Sequence, residues 1–387
     1  MGHSGSLDTT VFDAVVEHGT AEERLELALQ VAALLGEPAA ATAADRAAVR
    51  GTVVALTADP VREIREALAA ALASCKTLDA EILFSIIAAD DDIAERFIAT
   101  TAALDRSRML SILKVGDELR QSALAGRPDL SEDIVAQLIE TAPEAVVAVL
   151  IDNRDVPLPA KNFKRIYRRF VNSPAMVDRL LAVDEIPVEI RLIEVRRSAQ
   201  RMHQLLRERR WMLAAEAEDI VNETEERTLL RILLEVEEQA LERLIAFMSS
   251  RDMLTPSIML RAACSGYMMI VEHALAWLAA MPVKRLKGLS AGRNGPSLKA
   301  VHASAGIPDD CYPVMRAAFA VAAEAQGESA WPNEEQFGRR VVETILTRQE
   351  RLGPRQSAEM LDLVGQFADD RTRALANRLK GSLAEVA

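Results

Sequence analysis

Few residues in this 387-residue chain combine type and spacing in a way that could do chemistry. Two cysteine–histidine pairs, Cys264 with His273 and His302 with Cys311, could together surround a tetrahedral zinc ion. Such sites are usually anchored by a close ligand pair. None is present, so these residues read as buried cysteines and ordinary histidines. His203, in Met202-His203-Gln204-Leu205-Leu206, could accept a phosphoryl group, but Gln204 stands where an acidic neighbour is usual and no ATP-binding segment follows. The run Asp90-Asp91-Asp92 lacks the central glycine and closing glutamate of a calcium loop and reads as helix capping. The glycine-rich stretch from Gly288 to Pro296 lacks the Lys-Ser/Thr ending of a phosphate loop, and Arg293 between Gly292 and Gly295 reads as part of a plain loop. No nucleophile elbow, His-Glu-x-x-His helix or dinucleotide fingerprint occurs. The expectation is a non-enzymatic protein with no catalytic residue, metal or cofactor.

Charge gives a stronger signal. Between Lys161 and Arg210 stand 13 basic and six acidic residues, an excess of +7 in a chain whose total is -12. Lys161, Lys164, Arg165, Arg168 and Arg169 recur at helical spacing beside Phe163, Ile166, Tyr167 and Phe170, and Arg196, Arg197 and Arg201 continue the run. These eight residues are the candidate binding face. Such a face can be a plain charged surface with internal ion pairs, a contact for another protein, or a track for a nucleic-acid backbone. Overall acidity and a 4% aromatic content weigh against the last. A scaffold or adaptor for an unknown protein partner is the favoured expectation, with a non-sequence-specific nucleic-acid binder as the alternative.

The elements that must carry these residues are helical. Half the residues are apolar, Ala and Leu dominate, and β-branched alternation is almost absent. Leu78-Asp79, Leu104-Asp105 and Leu130-Ser131 recur every 26 residues. Apolar pairs follow at a fixed offset: Ile86 and Ile87, Ile112 and Leu113, Leu138 and Ile139. A period of 26 fits two short helices and two turns, a hairpin that must stack on its neighbours to bury its apolar faces. The fold expected is an all-α HEAT-like solenoid with a related helical C-terminal domain. Markers at Leu254, Met281 and Ile307 suggest that the repeats resume there.

The boundaries read as follows: 1–44, a helical lead-in; 45–213, the repeat array; 214–248, an acidic connector from Glu216 to Thr228 and a long amphipathic helix over Leu229–Met248; 249–325, C-terminal repeats; 326–387, capping helices. Within the lead-in, Thr20 to Glu23 reads as a capping box. Leu233, Leu241, Leu244, Met268 and Met269 are candidates for a homodimer face. Three separated cysteines suit a reducing cytoplasm. No basic patch leads into an apolar run at the N-terminus, and no apolar run reaches the length of a membrane span.

Leu56-Thr57-Ala58-Asp59-Pro60-Val61-Arg62, the repeat starts, and Ala125-Gly126-Arg127-Pro128-Asp129-Leu130-Ser131 resemble an uncharacterised alphaproteobacterial family built of HEAT-like repeats. Ile151-Asp152-Asn153-Arg154, Leu181 to Pro187, Leu254-Thr255, Gly266 and His273-Ala274-Leu275-Ala276 are similar to it too. The resemblance runs over Asp45 to Glu324. It implies a helical-repeat fold and a bacterial cytoplasmic setting, and it brings no catalytic residues.

Overall fold

A computed structural model describes residues 9–36, 42–209, 213–291, 295–328, 330–347 and 354–386. Every regular element among them is helical. The chain divides into two compact units, residues 1–187 and 188–387.

The first unit holds α1 (Thr9–His18), α2 (Ala21–Gly36), α3 (Ala43–Thr57), α4 (Arg62–Leu72), α5 (Ala80–Ala88), α6 (Asp91–Thr100), α7 (Arg106–Val115), α8 (Glu118–Ala125), α9 (Glu132–Thr141), α10 (Glu144–Asp152), α11 (Ala160–Phe170) and α12 (Pro174–Leu181). The capping box before α2 is formed: Glu23 N donates to Thr20 Oγ1 at 3.3 Å and Thr20 N to the Glu23 carboxylate at 2.7 Å. Inside the periodic stretch Asp79, Asp105 and Asp117 cap α5, α7 and α8 by accepting from first-turn amides. Each helix then turns one apolar strip inward. Ile82, Leu83, Ile86 and Ile87 do so on α5, and Ile134, Val135, Leu138 and Ile139 on α9. Second helices α4, α6, α8, α10 and α12 pack in series, and α7, α9 and α11 form a parallel row.

Polar ties follow the same period. The Arg108 guanidinium donates to the carbonyl of Leu78, Arg120 to those of Ile87 and Ala89, Arg127 to that of Ile98, and Arg169 to those of Ile139 and Ala142. The Asn153 amide donates to the carbonyls of Ala125 and Arg127. In each tie the donor lies about one hairpin downstream of the acceptor; the carbonyls of Ile87, Ile98, Ala125 and Ile139 are helix-end groups that their own helices cannot satisfy, while that of Leu78 precedes α5. The run Asp90-Asp91-Asp92 does open α6, with Asp91 and Asp92 in its first turn and Asp91 paired with Arg120, but the expected side-chain cap is not made. Asp90 occupies the cap position without capping, and pairs instead with Arg65; Asp92 pairs with Arg62 and Arg96.

The second unit contains α13 (Val188–Arg209), α14 (Ala214–Leu234), α15 (Glu238–Ser249), α16 (Pro256–Cys264), α17 (Met268–Leu278), α18 (Val283–Ala291), α19 (Gly295–Ser304), α20 (Tyr312–Ala325), α21 (Glu334–Thr347), α22 (Pro354–Phe367) and α23 (Asp370–Val386). Two expectations are corrected. Glu216 to Thr228 is no connector but part of α14, whose Glu216, Glu218 and Asp219 face out while Ala217, Val221 and Glu225 turn inward. The helix expected over Leu229–Met248 is broken at 235–237. The division at Pro187 therefore replaces the one expected after Leu213, which would cut the α13–α14 hairpin.

Helix α16 is the centre of this unit. All seven residues from Ile258 to Cys264 are buried, and α14, α17, α20, α21 and α22 pack around it. Gly266 ends it with φ +79°, and Tyr267 N reaches back to the Ala262 carbonyl at 2.9 Å. A Cβ at Gly266 would meet the Phe337 ring at 2.7 Å, so the glycine is needed for both backbone and space.

Candidate functional site

The candidate basic residues fall in different units, Lys161 to Arg169 in the first and Arg196 to Arg201 in the second. On α11 the apolar side, Phe163, Ile166 and Tyr167, is buried against the stack. The cations then reach the preceding hairpin. Lys161 pairs with Glu132 and Arg165 with Glu140, one repeat upstream. The hydrogen bond from Lys161 holds the Glu132 carboxyl below its ordinary range. Arg169 donates to the Ile139 and Ala142 carbonyls at 2.6 Å each and lies 4.6 Å from the centre of the Phe170 ring. Lys164 and Arg168 are exposed.

The other three are also engaged. Arg196 donates to the buried Glu225 at 3.0 Å, and Arg201 reaches the buried Glu194 at 2.8 Å with Arg197 at 3.5 Å. The sequence thus locates real cations but not all their partners: Glu132, Glu140 and Glu225 sit about one repeat away, while Glu194, shared by Arg197 and Arg201, lies in the same window.

Glu225 belongs to a charged cleft of about 500 Å³ in the second unit. Arg261, nearly enclosed on α16, donates to Glu226 at 2.9 Å and Glu223 at 3.5 Å. Arg373 joins Glu223 at 2.7 Å and the Gly365 carbonyl at 2.8 Å. Burial pushes Glu225 up, with Arg196 opposing it. At Glu223 burial also works upward, but the hydrogen bond from Arg373 and the charges of Arg373, Arg261 and Arg227 outweigh it and hold the carboxyl low. The lining sets Arg196, Arg261 and Arg373 against Asp219, Glu223, Glu225 and Glu226, and each arginine is paired with one of the glutamates. Its cations are already paired and its carboxylates outnumber them, which suits holding helices together better than gathering an anion.

A larger opening of about 860 Å³ lies in the first unit, where α10, α11 and α12 meet. Leu158 and Phe163 supply apolar surface, and Asp152, Arg154, Arg179 and Glu185 surround them with both signs of charge. Asp152 and Arg179 pair across consecutive hairpins. Sequence reasoning missed this site; the available signal is Val156, which stands 26 residues after Leu130 in place of a leucine, followed by Pro157 and Pro159, which lengthen the link before α11.

The remaining candidates do not converge. Leu233, Leu241, Leu244 and Met268 are buried in the core of the second unit, and Met269 packs against it. They fill one chain instead of forming an outer face, because α14 and α15 fold back onto α16 and α17. Cys264 is enclosed, its thiol pushed up to about 12 by burial, while His273 contacts Glu238. His302 packs its ring on Tyr312. His203 contacts Asn222. No group of three His, Cys, Asp or Glu side chains among the described residues could hold a metal. Gly292 and Arg293 lie outside the described residues. Among the described residues no helix is long and apolar enough to cross a membrane.

An all-helical protein with surface clefts but no converging reactive groups is what fold and site define among the described residues. A family model described as an uncharacterised protein conserved in bacteria (DUF2336) matches residues 93–355, and the chain belongs to that family. The match starts within α6, later than the resemblance read over Asp45–Glu324, and ends at the start of α22. No curated protein and no solved structure matches the chain.

Proposed function

We propose that this protein is a non-enzymatic scaffold of the bacterial cytoplasm whose first unit is a HEAT-like solenoid, and that a partner protein docks in the opening between α10 and α12. The opening carries the reading: an apolar floor rimmed by charges of both signs has the composition of a protein contact. The periodic ties support the solenoid, since each hairpin completes the one before it. The pairing of Lys161, Arg165, Arg169, Arg196 and Arg201 within the chain favours a protein partner over a nucleic-acid backbone, because those charges are already met.

The test is capture on the immobilised full chain from bacterial lysate, with and without nuclease, repeated with Leu158→Asp and Arg154→Glu. A stoichiometric protein that survives nuclease and is lost with either variant is the expected result. Nucleic acid alone, released steeply by salt and indifferent to both substitutions, would move the function to the basic residues.

A further inference from the structure

Helix α13 packs principally on α14, and the outer part of this antiparallel hairpin buries little. From Ser198 to Ile220 only Ala199 and Ala217 are buried among the described side chains, and Val221 continues the seam. The His203–Asn222 contact at 3.1 Å and the Arg196–Glu225 pair at 3.0 Å fix the register. Four large apolar side chains of this stretch stay exposed: Met202 by 47%, Leu205 by 39%, Leu213 by 70% and Ile220 by 54%.

Their directions agree. At about 100° per residue, Met202 and Leu205 lie roughly 60° and 120° to one side of Ala199. Leu213 and Ile220 lie roughly 80° and 100° to the same-handed side of Val221. Because the two helices run in opposite directions, both flanks emerge on one face of the hairpin.

Charge on the hairpin is divided by helix. From Ser198 to Arg209 the sequence carries Arg201, Arg207 and Arg209 against Glu208; from Leu213 to Glu226 it carries six acidic residues and no basic one. Arg209 and Glu216 are exposed and have no ion-pair partner among the described residues.

We propose that this face docks on the same face of a second copy of the chain. A two-fold axis parallel to the hairpin sets each α13 against α14 of the other copy, so the basic helix meets the acidic one. The register places Met202 and Leu205 level with Ile220 of the second copy, and Arg209 level with its Leu213 and Glu216. A two-fold axis across the hairpin would instead bring α13 onto α13 and like charges together, so the charge division selects the first arrangement. The face is roughly 20 Å long and 20 Å wide, burying roughly 800 Å² over both copies, which predicts a weak dimer with a micromolar Kd.

Sedimentation velocity of the full chain from about 1 to about 200 µM tests this. Wild type should pass from monomer to dimer, and Ile220→Asp should raise the midpoint at least tenfold. Arg209→Glu and Glu216→Arg should each weaken the dimer, and an equimolar mixture of the two should recover it as a heterodimer. All three positions are exposed, so the melting temperature should stay at the wild-type value; if Ile220→Asp lowers it, Leu205→Asp reads the same face from the other helix. A wild type monomeric at about 200 µM, a midpoint unmoved by the apolar variants, or a mixture that recovers nothing would overturn the proposal.

Discussion

In the first unit, polar ties between helices join residues 25 to 35 positions apart, about one hairpin. In the second, Arg261 reaches the Phe367 carbonyl 106 positions away and Arg373 reaches Glu223 across 150. The first unit is held by near neighbours, so each hairpin depends on the next. The second is gathered around one enclosed helix, so elements far apart in sequence depend on α16 together. Local damage should stay local in the first and spread in the second.

The largest effect expected is from Arg261→Ala. It leaves Glu226 and Glu223 short of a cation next to the core, a loss of about 3–5 kcal/mol. No tryptophan falls within residues 1–187, and Trp277 and Trp331 lie in the second unit, so tryptophan fluorescence follows that unit's unfolding. The fluorescence midpoint should fall by about 10 °C, while hydrogen exchange in α5 to α9 stays unchanged. Equal acceleration of exchange in both units would dissolve the distinction.

Arg127→Ala is the counterpart in the first unit. The buried guanidinium holds Asp129 with two hydrogen bonds of 2.8 Å and caps the Ile98 carbonyl. Its removal should cost about 2 kcal/mol. Exchange should quicken in α6, α8 and α9 only, and the tryptophan melt should not move. A shifted tryptophan melt would show that the stack is not locally held.

Acid should separate the units by a smaller margin. In the first, the hydrogen bond from Arg127 holds Asp129 low against burial, and Glu66, Glu132 and Asp133 are also held low by hydrogen-bonded partners. Carboxyls with depressed folded values contribute stability above the unfolded range near ~4 and lose it as pH falls through their folded values. In the second unit Glu225, Glu272 and Glu334 are raised by burial, so their cost is relieved as they take up protons. Glu223, Glu238 and Glu328, held low by their cationic partners, act in the opposite sense below them. Between pH 7 and about 5 the tryptophan melt should therefore hold or rise, and it should fall only at lower pH. A steady decline from pH 7 would mean that the buried carboxyls are not protonated in the folded state.

The first unit was legible in sequence because its packing is periodic. Leu78, Leu104 and the paired apolar positions recur since each hairpin buries the same strip, and the structure places all of them inside or at the edge of the core. The second unit was not. The markers at Leu254, Met281 and Ile307 imply equivalent repeats, but α16 is enclosed on every side, and a short apolar helix does not declare how many neighbours it has. Acidity made residues 216–228 of α14 look like a connector because the inward residues there, Ala217, Val221 and Glu225, are small, few or charged. Internal ion pairs are one reading of the basic run, but the partners Glu132 and Glu140 lie one hairpin upstream and can be named only once the stack is formed.

The backward-pointing ties of the first unit bear on how the chain is made. The amide of Asn153 serves carbonyls at 125 and 127, and the guanidinium of Arg169 serves those at 139 and 142. On a ribosome, which releases the N-terminus first, no hairpin can close its own helix ends until the following one has emerged. Consolidation must then trail synthesis by about thirty residues, advancing in hairpin-sized steps, with the newest hairpin always the loosest.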